Sequence, residues 1–427
     1  MGTSAASSEH GSPTSTERPI NWQRNLAAIW TVQLLAIIGF SLRVPFLPFY
    51  LADLGVDTVQ GQTLWSGMIN AVGAGVMAIS APLWGIYADR HGRRLMLIRA
   101  AFGGMLTVGL MGLATAPWQL LGLRMLEGAL TGTVTAATVL VATTTPKQRI
   151  GFALGMLQTA IFAGASLGPL IGGVLADRIG MRPTFFIAGA MLGLSGLLTV
   201  LVVRERFTPA PPKPREEDLA LGRLERFLAS ARPLFTGALV TLIITLFVVR
   251  FAAMAVQPTM PLFVQQLAPG TTDAASLAGI VLGVLGAASA ASAVVLGRLS
   301  DRLGHRKILF ISVVTAGILY LPMALVRSPW QLAVLLGLFG LAAGGMIPTA
   351  NALIANLTPS HRRATMYGIS SSSAALGGFA GPLIGATIAA ALGFRVSFIV
   401  VGVMLLVLSA AVMRRIPPGA DTADPDD

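Results

Sequence analysis

The sequence predicts an all-α membrane protein of twelve transmembrane helices arranged as two six-helix halves. Three observations predict it. The 427 residues are 54% hydrophobic and only 11% charged, with a mean hydropathy of +0.75, whereas soluble domains carry about 25% charged residues. Twelve apolar runs each reach the roughly 20 residues that cross a hydrocarbon core. One polar phrase is written twice: Gly85-Ile86-Tyr87-Ala88-Asp89-Arg90-His91-Gly92-Arg93-Arg94 returns as Gly297-Arg298-Leu299-Ser300-Asp301-Arg302-Leu303-Gly304-His305-Arg306-Lys307, an offset of 212 positions.

The elements follow in order. Residues 1–21 are rich in Ser, Thr and Gly and lack the apolar stretch of a signal peptide, so they read as a disordered tail. The first half, 22–203, holds spans at about 26–51, 64–87, 95–115, 118–143, 150–175 and 183–203. These runs are continuous rather than alternating, so they are helices and not barrel strands. The segment 204–232 contains Pro209, Pro211, Pro212, Pro214 and the charge run Arg215-Glu216-Glu217-Asp218, which marks a polar linker with a short amphipathic helix near Leu219–Leu228. The second half, 233–415, holds spans at about 234–267, 276–299, 307–326, 330–355, 363–391 and 394–413, and 416–427 reads as a second disordered tail.

The repeat reaches beyond the opening phrase. Pro117-Trp118-Gln119-Leu120 returns as Pro329-Trp330-Gln331-Leu332, Pro45-x-x-Pro48 as Pro258-x-x-Pro261, and Gly168-Pro169-Leu170-Ile171-Gly172 as Gly381-Pro382-Leu383-Ile384-Gly385. A near-constant offset across six spans makes a tandem repeat whose halves are related by an axis along the membrane normal. Proteins built this way hold a solute between the halves and rock them about it.

Charge placement gives orientation. The net charge is +12, and 23 of the 30 Lys and Arg residues fall in the tails and even-numbered loops. The odd-numbered loops hold only Arg178, Arg182, Arg327 and Arg395. The positive-inside rule therefore places both termini in the cytoplasm. No nucleic-acid motif accompanies the basic charge. The absence of cysteine excludes disulfides, thiol catalysis and cysteine-ligated metal. The four histidines are not spaced as ligand pairs, no phosphate-cradling Gly-x-x-x-x-Gly-Lys-Ser/Thr motif is present, and no catalytic dyad is visible. The chain is therefore expected to be neither an enzyme nor an ATP-driven pump, and to need no cofactor and no metal.

Three constellations carry candidate chemistry. In the first phrase, Gly85 permits close helix packing, Gly92 a turn with positive φ, and Asp89 can face the positive end of a neighbouring helix. Arg93 and Arg94 suit lipid phosphate or carboxylates. In span five, Gly164, Gly168 and Gly172 share one helix face and form a groove for another helix, while Pro169 permits a kink. That contact is expected to seal the two halves at the outer side. Ionisable groups inside spans cost roughly 2.5–3.5 kcal/mol each on insertion scales, and four stand there: Glu127, Arg43, Arg124 and Arg250. Arg124 and Glu127 are i, i+3 and can pair on one face. The pair reads either as a neutralised structural contact or as a proton site, since burial and a nearby guanidinium act oppositely on a carboxylate's proton affinity.

The phrase Gly85-x-x-x-Asp89-Arg90-x-Gly92-Arg93-Arg94 resembles the signature loop between helices two and three of the major facilitator superfamily. The resemblance extends over residues 22–415. Arg124-x-x-Glu127-Gly128 is similar to the family's Arg-x-x-Gln-Gly pattern, with Glu127 where Gln is common. Gly164-x-x-x-Gly168-Pro169-x-x-Gly172-Gly173 is similar to the antiporter motif of drug:proton exporters. Leu64-Trp65-Ser66-Gly67 and Arg182-Pro183-x-Phe185-Phe186 look like the twelve-helix bacterial multidrug-resistance exporters. The resemblance implies the major facilitator fold and a monomeric, multi-pass protein of the bacterial inner membrane. It also implies secondary-active export of drug-like molecules in exchange for protons. Arg124 would carry a role in proton coupling, and Asp89, Arg90, Arg93, Asp301 and Arg302 would gate the cytoplasmic side.

Here the chain departs from the pattern. Span one carries Gln33 and Arg43 where many such exporters carry an acidic residue, so a cavity offering Arg43, Arg124 and Arg250 favours neutral or anionic substrates. Arg43 could instead snorkel to the outer surface. Further candidates for the cavity wall are Phe46, Tyr50, Asn70, Gln158, Met254, Gln257, Met346 and Asn351, since Met and aromatic side chains adapt to varied ligands. A proton-coupled symporter or metabolite exporter, and a membrane sensor that transports nothing, remain as rival readings of the same fold.

Overall fold

The computed structural model describes residues 21–205, 207, 236–359 and 362–421. The expected tail before Asn21 and the linker helix near Leu219–Leu228 lie outside the described residues. Within them all regular structure is helical, and twelve helices are long and apolar enough to cross a membrane. In chain order the twelve spans are Trp22–Ser41, Val59–His91, Arg93–Met111, Pro117–Thr144, Lys147–Ile179, Met181–Leu201, Gly237–Leu267, Ala274–Leu303, His305–Met323, Pro329–Asn356, Thr365–Leu392 and Phe394–Arg415.

The first and fourth spans of each half are interrupted. Span one unwinds after Ser41 and resumes as Leu47–Asp53. Span four breaks between Leu130 and Thr133 at Gly132, whose φ of +125° only glycine adopts readily. Span seven passes through a 3-10 turn at Gln257–Thr259, where Pro258 and Pro261 each remove a backbone donor. Span ten breaks at Gly344-Gly345. Interrupted spans expose backbone polar groups, which a membrane protein tolerates only where they are buried in protein or face a cavity.

Each half has its own apolar core. In the second half Tyr320, Phe263 and Phe398 sit at the centre of one continuous cluster. The first half has two clusters, one around Phe46, Tyr50 and Phe185 and one around Ile29, Leu97 and Leu140. The halves meet along two seams, span five on span eight and span two on span eleven. Both seams are tightest toward the end of the bundle away from the described termini. There, side chains at Gly279 and Gly283 would run into Pro169 and Leu170, and one at Gly67 would run into Pro382 and Ala386. Small residues at these points let the backbones approach, which is the contact that membrane helices use in place of hydrophobic attraction.

Part of the expected second tail is structured: Ile416 and Ala420 are buried against the second-half core, and Pro418–Asp421 forms a 3-10 turn, while residues 422–427 lie outside the described residues. Arg99 stands within the span-three helix.

Candidate functional site

The site grows out of the breaks. Pro117 opens the helix of span four, which runs to Leu130. At the break the Glu127 carbonyl accepts the Thr131 N–H at 2.9 Å and the Thr131 hydroxyl at 2.7 Å, so the last turn closes on a side chain. Spans two and four approach at two glycines. A Cβ on Gly128 would strike the Gly73 carbonyl, and one on Gly73 would come within 2.7 Å of Arg124 Nε. The space that a side chain at 73 would need is filled by the Arg124 guanidinium.

In the unwound turn of span one, Arg43 Nη2 donates to Glu127 Oε1 at 3.0 Å. Arg124 Nη1 donates to the same oxygen at 2.5 Å. Glu127 is only 2% exposed, and its Oε2 accepts no hydrogen bond from the described residues. The expected Arg124–Glu127 contact is therefore present, and Arg43 joins it instead of snorkelling to a surface. Two guanidinium groups on one carboxylate leave the cluster one positive charge in excess.

The cluster backs onto a cavity of about 270 Å³ between the halves. Arg43, Asn70, Gly73, Arg124 and Thr131 line it from the first half, and Arg250, Met254, Gln257 and Gly378 from the second. Asn70 is already engaged, donating to the Ser66 carbonyl at 2.9 Å. Arg250 is exposed to the cavity and makes no hydrogen bond or ion pair with the described residues. Three arginines and no carboxylate line this wall, so its potential is positive.

Other expected wall residues lie elsewhere. Phe46 and Tyr50 are fully buried in the first-half core, each with its ring centroid 5.1 Å from that of Phe185, and the Tyr50 hydroxyl donates to the Met111 carbonyl at 3.1 Å. Met346 is 2% exposed within the second-half core. Gln158 is exposed on span five, and Asn351 lies beside Tyr367, whose hydroxyl donates to its carbonyl at 3.3 Å; neither lines the cavity.

The glycine stripe of span five also packs differently from expectation. Gly164, Gly168 and Gly172 face Ile37, Ser41 and Leu42 of span one, inside the same half. The seam to span eight is made by the adjoining face: Ser166, whose hydroxyl donates to the Gly283 carbonyl at 2.8 Å, with Pro169, Leu170 and Gly173. Glycine spacing reports a close approach without naming the partner helix. At the other end, Gly92 turns with φ +95°, as expected. Gly85 and Gly297 have open space around them rather than a packed helix. Asp89 pairs with Arg93 at 2.8 Å and stays largely exposed, as do Arg90, Asp301 and Arg302.

One residue of the site was hidden in the sequence. The Arg99 guanidinium lies 3.6 Å over the Trp84 ring and donates to the Thr131 carbonyl at 3.3 Å. Trp84 Nε1 donates to the Ala129 carbonyl at 2.6 Å. Together they hold the carbonyls that the break in span four frees. Only a basic residue within apolar sequence hints at this, and its nearness to the basic loop masks the hint.

The Major Facilitator Superfamily family model matches residues 29–327 and 242–426. The multidrug resistance protein MdtG of Enterobacter lignolyticus is 38% identical over 392 residues, 92% of each chain. MdtG of Salmonella arizonae is 38% identical over 388 residues, 91% of this chain and 94% of that one. Among solved structures, an inward-facing, unoccupied bacterial homologue of the human lysosomal transporter Spinster aligns at a TM-score of 0.75 and 15% identity, covering 93% of this chain and 97% of that one. The human organic anion transporter MFSD10 aligns at 0.66 and 20%, covering 92% and 99%.

Proposed function

This chain belongs to the major facilitator superfamily, and from that premise we propose that it exports drug-like molecules across the bacterial inner membrane in exchange for protons. The observation that carries the reading is the Arg43–Glu127–Arg124 cluster at the wall of a cavity shared by both halves. Resemblance to multidrug resistance proteins along nine-tenths of the chain supports export.

The substrate occupies the cavity between the halves. Its positive wall suits neutral or anionic compounds, with Arg250 the group free to meet an anion. Glu127 is the proton carrier, and Oε2 is the oxygen open to a proton. Exchange requires only that the drug-free protein change sides with Glu127 protonated and the drug-loaded protein with it ionised. Both termini lie in the cytoplasm by the distribution of basic loops. Both seams close toward the far side, and Gly85 and Gly297 at the other end meet nothing within 4 Å, which supports reading this conformation as inward-facing. The first six spans and the last six act as the two rocking units, and the protein works as a monomer. The expected cytoplasmic gate role of Asp89 and its neighbours belongs to the opposite conformation, in which Asp89 faces the start of span eleven.

Everted vesicles test the reading. With an inside-acid gradient formed, added drug should release protons from the vesicles that contain the chain. A drug that crosses without disturbing the gradient would defeat proton exchange, and no drug flux at all would defeat export.

A further inference from the structure

Span eight begins without a cap of its own. Its N-cap residue is Asp273, a type whose carboxylate accepts from the N2 or N3 backbone N–H, yet that side chain makes no capping bond. The N3 donor, Ser276 N–H, goes instead to Asp177 Oδ2 at 2.6 Å. Asp177 stands in the last turn of span five, in the other half of the protein. One half therefore caps a helix of the other at the sealed end of the cavity.

Asp177 sits in a third copy of the repeated phrase. Gly173-Val174-Leu175-Ala176-Asp177-Arg178-Ile179-Gly180-Met181-Arg182 follows the same Gly-x-x-x-Asp-Arg-x-Gly order as Gly85–Arg94, at the opposite end of the same half. Gly180 turns with φ +94°, matching the +95° of Gly92. One difference separates the two aspartates. Four residues after Asp89 stands Arg93, which takes its carboxylate. Four residues after Asp177 stands Met181, which carries no charge, so Asp177 is left to the positive end of span eight. Gly173 adds room for this approach, since a side chain there would strike the Ala275 carbonyl.

We propose that Asp177 is a cap supplied in trans that latches this end shut, and that Asp273 is the cap in cis that replaces it when this end opens. Opening withdraws Asp177 from Ser276. A helix start with an orphaned N–H is unfavourable, but Asp273 already occupies the N-cap and needs only a side-chain rotation to accept that donor. The exchange keeps the N–H paired in both conformations, so neither is a trap. Asp177 stabilises the closed end alone and Asp273 the open end alone. The inference rests on the alternating-access part of the proposed function, not on drug or proton.

The chain has no cysteine, so Ser166→Cys places a single thiol in the span-five/span-eight seam. The rate at which a membrane-impermeant maleimide labels it in intact cells reports opening of that end. Adding Asp177→Ala should speed labelling about fivefold and adding Asp273→Ala should slow it about fivefold, the population change expected of one lost N-cap. Opposite signs are the signature, since a residue needed only for folding would not slow access. Changes in the same direction, or none, overturn the proposal. Where Asp177→Ala fails to reach the membrane, Asp273→Ala decides: slowed labelling supports the exchange, and unchanged or faster labelling overturns it. Failed export with these contrasts intact would count against the exporter reading alone.

Discussion

Arg43 Nη2 donates to Glu127 Oε1 at 3.0 Å, which ties the unwound turn of span one to the helix of span four. Arg124 shares that oxygen, so the carboxylate serves two cations. Removing either arginine leaves a one-to-one pair, but removing Glu127 leaves the buried Arg43 and the half-buried Arg124 facing one another without a counter-charge. Breaking a buried pair costs about 3–5 kcal/mol. Glu127→Gln should therefore lower the detergent melting temperature further than Arg43→Met. The double variant should recover part of the loss, because its remaining arginine no longer faces a second one. A Glu127→Gln protein as stable as the parent would show that the cluster does not hold the fold.

The same substitution separates proton transfer from packing. Glu127→Gln keeps the shape of the side chain and an acceptor oxygen for Arg124, but it cannot cycle a proton. Drug-triggered proton release from everted vesicles should vanish, while binding of a fluorescent substrate to the purified protein should persist. Unchanged proton release in this variant would remove Glu127 as the carrier.

How much of this was legible depended on the range of the interaction. The twelve spans, the two halves and the Arg124–Glu127 pair follow from hydropathy, a repeated phrase and i, i+3 spacing, all of them local or periodic signals. Arg43 was visible as an intramembrane charge, but its partner lies 84 positions away and no spacing rule links them. Phe46 and Tyr50 beside a helix break resemble a ligand wall as much as a core, and only packing against Phe185 settles which they are. Arg99 was hidden because a cation shortly after a basic loop looks like part of that loop, although its ring contact with Trp84 places it inside the bundle.

Arg250 has no partner among the described residues, so its removal should change selection rather than stability. Arg250→Ala should melt within about 0.5 kcal/mol of the parent, as exposed substitutions do. Its effect should appear in a resistance profile of a susceptible bacterial host. Protection against anionic compounds should fall about tenfold, a loss near 1.4 kcal/mol of binding, and protection against neutral ones should change little. Strong export of cations by the parent protein would contradict the electrostatic reading outright.

Gly73 and Gly128 both lie where spans two and four meet inside the first half, yet they should not respond alike to an added methyl group. At Gly73 the obstacle is Arg124, with Nε at 2.7 Å and Cγ at 2.9 Å from the new Cβ. That side chain can move, but moving it withdraws Nη1 from Glu127. At Gly128 the obstacle is the Gly73 carbonyl, so spans two and four must part. Overpacking of this kind costs about 1–3 kcal/mol. Gly128→Ala should therefore lower the melting temperature, whereas Gly73→Ala should leave it nearer the parent and reduce drug-triggered proton release instead. Combining Gly73→Ala with Arg124→Lys, whose slimmer head leaves room beside Ala, should recover stability without recovering exchange if the forked contact to Glu127 is what transport uses. Equal losses of stability at the two glycines would show that Arg124 is as fixed as backbone, and the contact between spans two and four would then be packing alone.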